Sequence, residues 1–426
     1  MGFSQPKHSA GVVAIAAALA AGVGIAQERA LDHGSSAKAL PNNVPQINAN
    51  GFSATVSTAG FVDLTSEYFQ AQGSNGRGCA TCHIPQNAWS ITPEMVRFLF
   101  DQTGGMHPIF NPLDADNPDT DPSTLEARRA AYSMLLTRGV FRRGGAPLAN
   151  REWDVVAADD PHGFANVNRI VQWRRVMPTI NFHLGSATVA WDGGNTVGVD
   201  QSAGLANQAA RNVTGAQQGP PASLDVINQI VNFEMSLSTA QVVSFSAGLL
   251  SSGGASGGPE ELSHMTKASG RFDLFDAWMD SPVESRARIA RGQELFNNPN
   301  PGNGRSCNGC HNSRNNGTNF NDRLFDTHTA SAEARTPDLP LYTIRNRVTG
   351  EERQLTDTGL GNVTGLWSDL GKFKTPTLRA LSARAPYFHN GIAASLDDVV
   401  RHYEHHLNFV FTDQQRQDLV AFLQAL

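Results

Sequence analysis

Leu224, Ile227, Ile230, Val231, Glu234 and Leu237 recur with a period near 3.6 behind Ser223, whose hydroxyl can accept from the first free backbone N–H groups. The spacing predicts a helix over 223–241. A second stripe, Leu396, Val399, Val400, Tyr403 and Leu407, follows Ser395, with Asp398 in the capping-box position. It predicts a helix near the C-terminal end and puts Tyr403 on its inward face. Helical patterns also cover 285–296 and the stretch after Ser123, a possible cap for 124–139. Little of the chain alternates with the period of two that marks a half-buried strand. The expectation is a mainly α fold with long loops and little strand, since 40 glycines and 22 prolines demand many turns.

One apolar run stands apart. Residues 11–26 follow Lys7 and His8 and end in small residues, Gly24 and Ala26. The run is shorter than the ~20 residues a spanning helix needs. It reads as a signal peptide over 1–26, so the mature protein is expected in the periplasm without stable membrane insertion. Residues 27–50 are polar and proline-spotted, a flexible lead. The Ser/Gly-rich segment 251–262 has linker composition, dividing the chain into an N-terminal region, 51–250, and a C-terminal region, 263–426. A net charge of −6 over 426 residues gives no basic footprint for nucleic acid.

All four cysteines of the chain lie in two short copies of one pattern, Cys79-Ala-Thr-Cys82-His83 and Cys307-Asn-Gly-Cys310-His311. Export would ordinarily turn four cysteines into two disulfides, but a disulfide does not explain a histidine after each pair. Zinc ribbons bring their pairs within ~15–20 residues; these lie far apart. C-x-x-C-H is the attachment signal for c-type haem: two thiols form thioethers, and the adjacent histidine reaches the iron. Two covalently bound haem c groups are expected, held by Cys79, Cys82, His83, Cys307, Cys310 and His311. The fold expectation becomes two cytochrome c-like haem domains.

Beyond the second motif, residues 371–406, GKFKTPTLRALSARAPYFHNGIAASLDDVVRHYEHH, resemble the C-terminal signature of bacterial di-haem cytochrome c peroxidases and their relative MauG, the methylamine-dehydrogenase maturation enzyme. Residues 177–194, with Trp191-Asp192-Gly193, resemble that family's segment between its haems. The resemblance implies a peroxide-reactive N-terminal haem, a C-terminal haem that relays or stores an oxidising equivalent, and Trp191 as the residue coupling them. It does not cover residues 95–170 well.

Two departures set expectations. Family members carry a histidine upstream of the first motif that blocks the iron, yet residues 34–82 hold no histidine or methionine, and His33 is far out. The first iron is expected to be open to peroxide. Family peroxidases ligate the second iron with a late methionine; here none follows Met279. Tyr403 falls where MauG-type enzymes place a tyrosine ligand, with His402, His405 and His406 as rival ligands. A phenolate stabilises ferric and higher states where a thioether does the reverse. The resemblance therefore implies a MauG-like oxidoreductase using H2O2 to oxidise Trp or Tyr of a partner protein. Cytochrome c peroxidase fed by a small electron-donor protein, a di-haem oxygenase and an electron carrier are the alternatives.

The family's peroxide pocket implies roles for Gln208 and, ten residues later, for Gln218, where the family has glutamate; an amide cannot shuttle a proton as a carboxylate can. Pro386 corresponds to a proline whose carbonyl helps hold a calcium, but Arg384 and Val176–Met177 replace two of its expected companions, so the ion stays an open expectation. His389 is expected to support a propionate or the helix turn. His107 and His183 read as structural, and Asp114, Asp116, Asp119 and Asp121 as a solvated loop.

Overall fold

The computed structural model describes residues 38–185, 188–195 and 200–426. The expected signal peptide and His33 lie outside them. Among the described residues no helix is long and apolar enough to cross a membrane.

Strand is more abundant than the periodicity suggests: among the described residues a third are helical and 18% are strand. The strands are short and join five small antiparallel sheets among the described residues. β1 (Ala39–Pro41) and β2 (Gln46–Asn48) lie in the segment expected to be a loose lead; β3 is Gly51–Ser57 and β4 Phe61–Asp63. β1 pairs with β4 and β2 with β3. Then follow α1 (Pro93–Thr103), α2 (Leu125–Ala131), α3 (Ser133–Arg138), β5 (Val140–Gly145), β6 (Trp153–Asp159), β7 (Ile170–Arg175), α4 (Gln201–Thr214), α5 (Leu224–Ser236), β8 (Leu237–Ser244) and β9 (Gly248–Leu249). The C-terminal part holds α6 (Glu284–Asn297), β10 (Leu324–Asp326), β11 (Leu341–Asn346), β12 (Glu352–Leu355), β13 (Lys372–Lys374), α7 (Leu396–Leu407) and α8 (Asp413–Ala425).

Three local expectations need correction. The helix expected over 223–241 starts as foreseen, with Ser223 accepting from Val226 N, but ends at Ser236. Leu237–Ser244 instead pairs along β3, from Leu237 opposite Ser57 to Ser244 opposite Gly51. A partner strand far back in the chain overrides the helical period. The helix after Ser123 is capped by Thr124, which accepts from Ala127 N, because Ser123 Oγ is taken by Asp121. It breaks at Tyr132, where Asp116 accepts from Ser133 Oγ and Met134 N and starts a new helix. Asp114 and Asp116 are therefore not solvated: both are buried, Asp114 against Arg77 at 2.5 Å. Burial pushes the Asp116 carboxyl up to about 6, against the pull of its hydrogen bonds.

Each attachment motif sits on its own core. Around the first, Tyr68, Trp89, Leu205, Ile227, Ile230 and Phe233 pack together with Cys79 against them. Around the second, α6 and α8 cross so closely that a Cβ on Gly292 would stand 2.0 Å from Asp418 O. Phe272, Phe275, Trp278, Phe296 and Phe422 fill the space beside Cys307.

The two regions share structure. β6 pairs with β11, so strands from both sides of the Ser/Gly segment form one sheet. Trp278 Nε1, beyond that segment, donates into it to Ser252 O at 2.9 Å. Arg174 on β7 makes a second tie: it donates to both oxygens of buried Asp357, at 2.8 and 2.9 Å, and also pairs with Asp192. Burial alone would raise the Asp357 carboxyl, but Arg174 and His389 hold it below its ordinary value. Removing one member of such a set leaves uncompensated buried charge, so Arg174→Met is expected to destabilise the fold by roughly 3–5 kcal/mol. A urea-unfolding midpoint indistinguishable from wild type would contradict this account.

Candidate functional site: two histidine turns and a shared cleft

The two C-x-x-C-H sequences fold alike. Cys79–Thr81 and Cys307–Gly309 are single tight turns. Each folds its histidine back on its first cysteine: His83 N donates to Cys79 O and His311 N to Cys307 O, both at 3.1 Å. Gly78 permits the approach at the first turn, since a Cβ there would meet Gln70 O at 2.8 Å.

Both imidazoles are then oriented by a carbonyl six residues on. His311 Nδ1 lies 2.6 Å from Gly317 O, and His83 Nδ1 lies 3.1 Å from Trp89 O and 2.9 Å from Thr179 Oγ1. A carbonyl can only accept, so Nδ1 carries the proton and Nε2 keeps its lone pair, the form a metal ligand needs. Burial lowers both rings to about 4, so they are neutral at physiological pH. At Gly317 the backbone has φ +75°, and a Cβ would strike Leu378. Glycine is the residue that lets this carbonyl face the ring.

No cysteine is bonded to another. Burial pushes the Cys82 thiol up to about 11 and the Cys307 thiol up to about 12, and raises Cys79 and Cys310 as well. Redox C-x-x-C pairs and zinc thiolates have the opposite bias. Among the described residues no cluster of three or more His, Cys, Asp or Glu side chains converges as a metal cage. The motifs fit covalent attachment of a flat apolar group, with a neutral imidazole beneath it.

A largely apolar cleft opens beside the second motif and encloses about 1540 Å³, part of it open to solvent. Its lining includes Cys307, Cys310, His311 and Tyr403, and also Trp191, Arg175 and Ser90. Tyr403 comes from α7, where the Ser395–Asp398 capping box forms as expected. Its hydroxyl has no hydrogen-bond partner among the described residues, and burial raises the phenol well above its ordinary value. Deprotonation there needs a cation close by. The rival histidines do not line the cleft: His402 Nε2 is engaged by Thr327 O at 2.8 Å, His405 is exposed, and His406 stacks on His328.

Trp191 is held on three sides. Its Nε1 donates to Arg175 O at 2.8 Å, its carbonyl accepts from Lys374 N at 2.8 Å, and its ring meets His389 edge-on at 6.3 Å. Asp192, the next residue, is the one paired with Arg174. His389 stacks on Phe373 at 3.8 Å, with its Nε2 unpaired and buried 3.8 Å from Asp357.

No protein-family model matches the chain. Cytochrome-c peroxidase IdrP1 of Pseudomonas sp. is 31% identical over 156 residues, 32% of this chain and 39% of that protein. Its namesake from Denitromonas iodatirespirans is 29% identical over 173 residues, 36% and 44%. Cytochrome c551 peroxidase of Nitrosomonas europaea is 41% identical over 69 residues, 16% and 21%. The chain spans less than half the length of these curated relatives. Among solved structures, a MauG-like protein associated with microbial copper homeostasis aligns with 59% of this chain and 73% of its own, at a TM-score of 0.35 and 17% identity.

Over about a third of its length this chain is similar to cytochrome-c peroxidases. Its relatives imply haem c as the cofactor. Against the family pattern, Gln208 lies on α4 with its Oε1 buried and unpaired. Gln218 is exposed at φ 55°, and its neighbour Gln217 turns inward, with Nε2 4.0 Å from Cys79 Sγ. The cause is a close contact of two backbones: a Cβ on Gly73 would sit 1.8 Å from Gln217 O. At Pro386, the preceding carbonyls of Arg384 and Ala385 accept from Arg175 Nη2 at 2.9 and 3.3 Å, as does Ile91 O at 2.7 Å.

Sequence reasoning passed over the aromatic cage of the first site. Tyr68 and Phe233 meet at 4.7 Å with their planes tilted by 32°, and Trp89 closes on Phe233 at 5.6 Å. It also gave no role to Glu234, although this acid stands in the apolar stripe of α5. Glu234 is 2% exposed with Oε2 unpaired, and burial pushes its carboxyl up to about 8. The folded state thus holds a proton that the unfolded state releases near pH 4.5, and stability falls as pH rises from there to about 8. Glu234→Gln is expected to lose that slope and to exceed wild type in stability at pH 9. Parallel pH–stability curves for the two proteins would refute it.

Proposed function

We propose that this protein is a MauG-like, peroxide-using oxidoreductase of the periplasm, with two haem c groups and a partner protein whose Trp or Tyr side chains it oxidises. The observation that carries the reading is Tyr403, an unpartnered hydroxyl in the same cleft as the free Nε2 side of His311. Haem c, when bound, supplies the iron centre at which peroxide is reduced.

The chain's own residues supply the rest. Cys79 and Cys82, and Cys307 and Cys310, attach the two groups, and His83 and His311 present neutral nitrogens beneath them. Tyr403 as phenolate stabilises high positive charge at the second site. Trp191, fixed by Arg175 and Lys374, bridges residues 51–250, which meet peroxide, and residues 263–426, which hold the charge. Gln208 and the inward Gln217 offer amides near the first site, and Gln218, where the family has glutamate, is exposed.

Calcium is not needed in this reading. The guanidinium of Arg175 already engages the carbonyls beside Pro386 and carries the positive charge an ion would bring.

The names of the relatives favour a second reading, cytochrome c peroxidase with electrons from a small donor protein. Peroxide added to the holoprotein with candidate partners, followed by mass analysis, separates the two. Added oxygen or lost hydrogen on partner Trp or Tyr supports the first; oxidation of a small cytochrome with the partner unchanged overturns it. Tyr403→Phe is expected to alter the low-spin ferric signal, and an unaltered spectrum rejects the ligand. Chelation of calcium is expected to leave both spectrum and turnover unchanged; loss of either would reject the role given to Arg175.

A further inference from the structure

Among the cations that line the cleft, Lys374 is the one left both buried and unengaged. Arg175 is saturated by backbone carbonyls: Nη1 donates to Arg138 O and Gly139 O, and Nη2 to Ile91 O, Arg384 O and Ala385 O. Arg384 donates to Ala380 O, Thr377 O and Arg379 O. Arg305 is exposed and lies two residues from Cys307. Lys374 is 8% exposed, and its ammonium makes no hydrogen bond or ion pair with any described residue. The carboxylate that most influences it, Asp322, is paired with Lys267 at 3.7 Å.

An ammonium on a buried lysine that lacks an anion is held at a cost. An anion in the cleft would offset that cost. Burial pulls the amine down to about 8, a position that an adjacent negative charge would reverse.

Placement says which anion. Lys374 ends β13, opposite Leu324 on β10, and its backbone N–H is fixed to Trp191 O. It therefore lies beside Trp191, in the cleft that Cys307 and Cys310 also line. Those cysteines take the vinyl edge of a haem, and a haem carries its two carboxylates on the edge remote from its vinyl groups. We propose that Lys374 is the propionate-binding residue of the second site, a positioning residue that holds one haem carboxylate against the strand carrying the Trp191 contact. This rests on the haem reading of that site. The ammonium then does two things: it fixes the tilt of the group relative to Trp191, and it places a positive charge beside it that favours the reduced, less positive form.

The test is spectroelectrochemical titration of the purified holoprotein, with haem stoichiometry measured alongside. Lys374→Met keeps the volume and removes the charge. It is expected to retain two covalent haems and to shift the one-electron equilibrium of the second haem at least tenfold toward the ferric form, about 59 mV. The first haem should not move, and Lys374→Arg should recover part of the shift. Lys374→Gln serves the same readout if the methionine variant does not fold. Two intact haems with both potentials unchanged in the charge-removing variant would overturn the assignment. So would a wild-type potential that follows added acetate, because a soluble carboxylate would then occupy the site. Fewer than two covalent haems in wild type is a different failure, that of the functional reading itself.

Discussion

Each attachment turn delivers a neutral imidazole with one nitrogen tied to the backbone and the other left over. A histidine free to rotate would offer either nitrogen, and a solvated one would titrate near neutrality. Here the hydrogen bond of Nδ1 to Trp89 O or to Gly317 O fixes the tautomer, and burial keeps the ring uncharged. The aromatic cage of Tyr68, Trp89 and Phe233 at one site, and Phe296 at the other, exclude the water that would compete for the ring. Most of the remaining fold can be understood as support for these two orientations and for the distance between them.

That distance is held by charge as well as by apolar packing. Trp191 lies between two buried systems. Asp192 joins Arg174 and Asp357 on one side, and Arg175 gathers carbonyls from several loops on the other. In a low-dielectric interior such groups tolerate little rearrangement, because any that loses its partner pays the full desolvation cost. A tryptophan framed in this way suits a relay between two centres, where a displacement of an ångström would matter.

Local signals and long-range contacts divided the legibility of the chain. The helix with Tyr403 was readable because its cap and its stripe are local, and the side chain faces the cleft as the stripe implied. The helix after Ser223 was readable only at its start; its continuation lost to a strand almost two hundred residues earlier that no local pattern announces. Gln218 was matched by sequence spacing, but the approach of Gly73 to Gln217 turned the chain and exchanged which glutamine faces inward. Lys374 gave no signal at all, since an alternating strand with a lysine reads as an exposed edge.

What the amino-acid order determined by itself is the chemistry of attachment. Two thiols and an imidazole within five residues need no distant partner to be recognised, because C-x-x-C-H is a signal for covalent attachment whose geometry is set by one turn. The capped, striped helix that bears Tyr403 belongs to the same class. Only the tertiary structure decided which groups surround those turns: the carbonyls that orient the histidines, the guanidinium seated beside Pro386, the buried acid near Cys79 and the unpaired ammonium beside Trp191. The reason is physical. Burial and pairing are properties of what comes together in space, and a residue's charge state, tautomer and role follow from neighbours that stand anywhere along the chain.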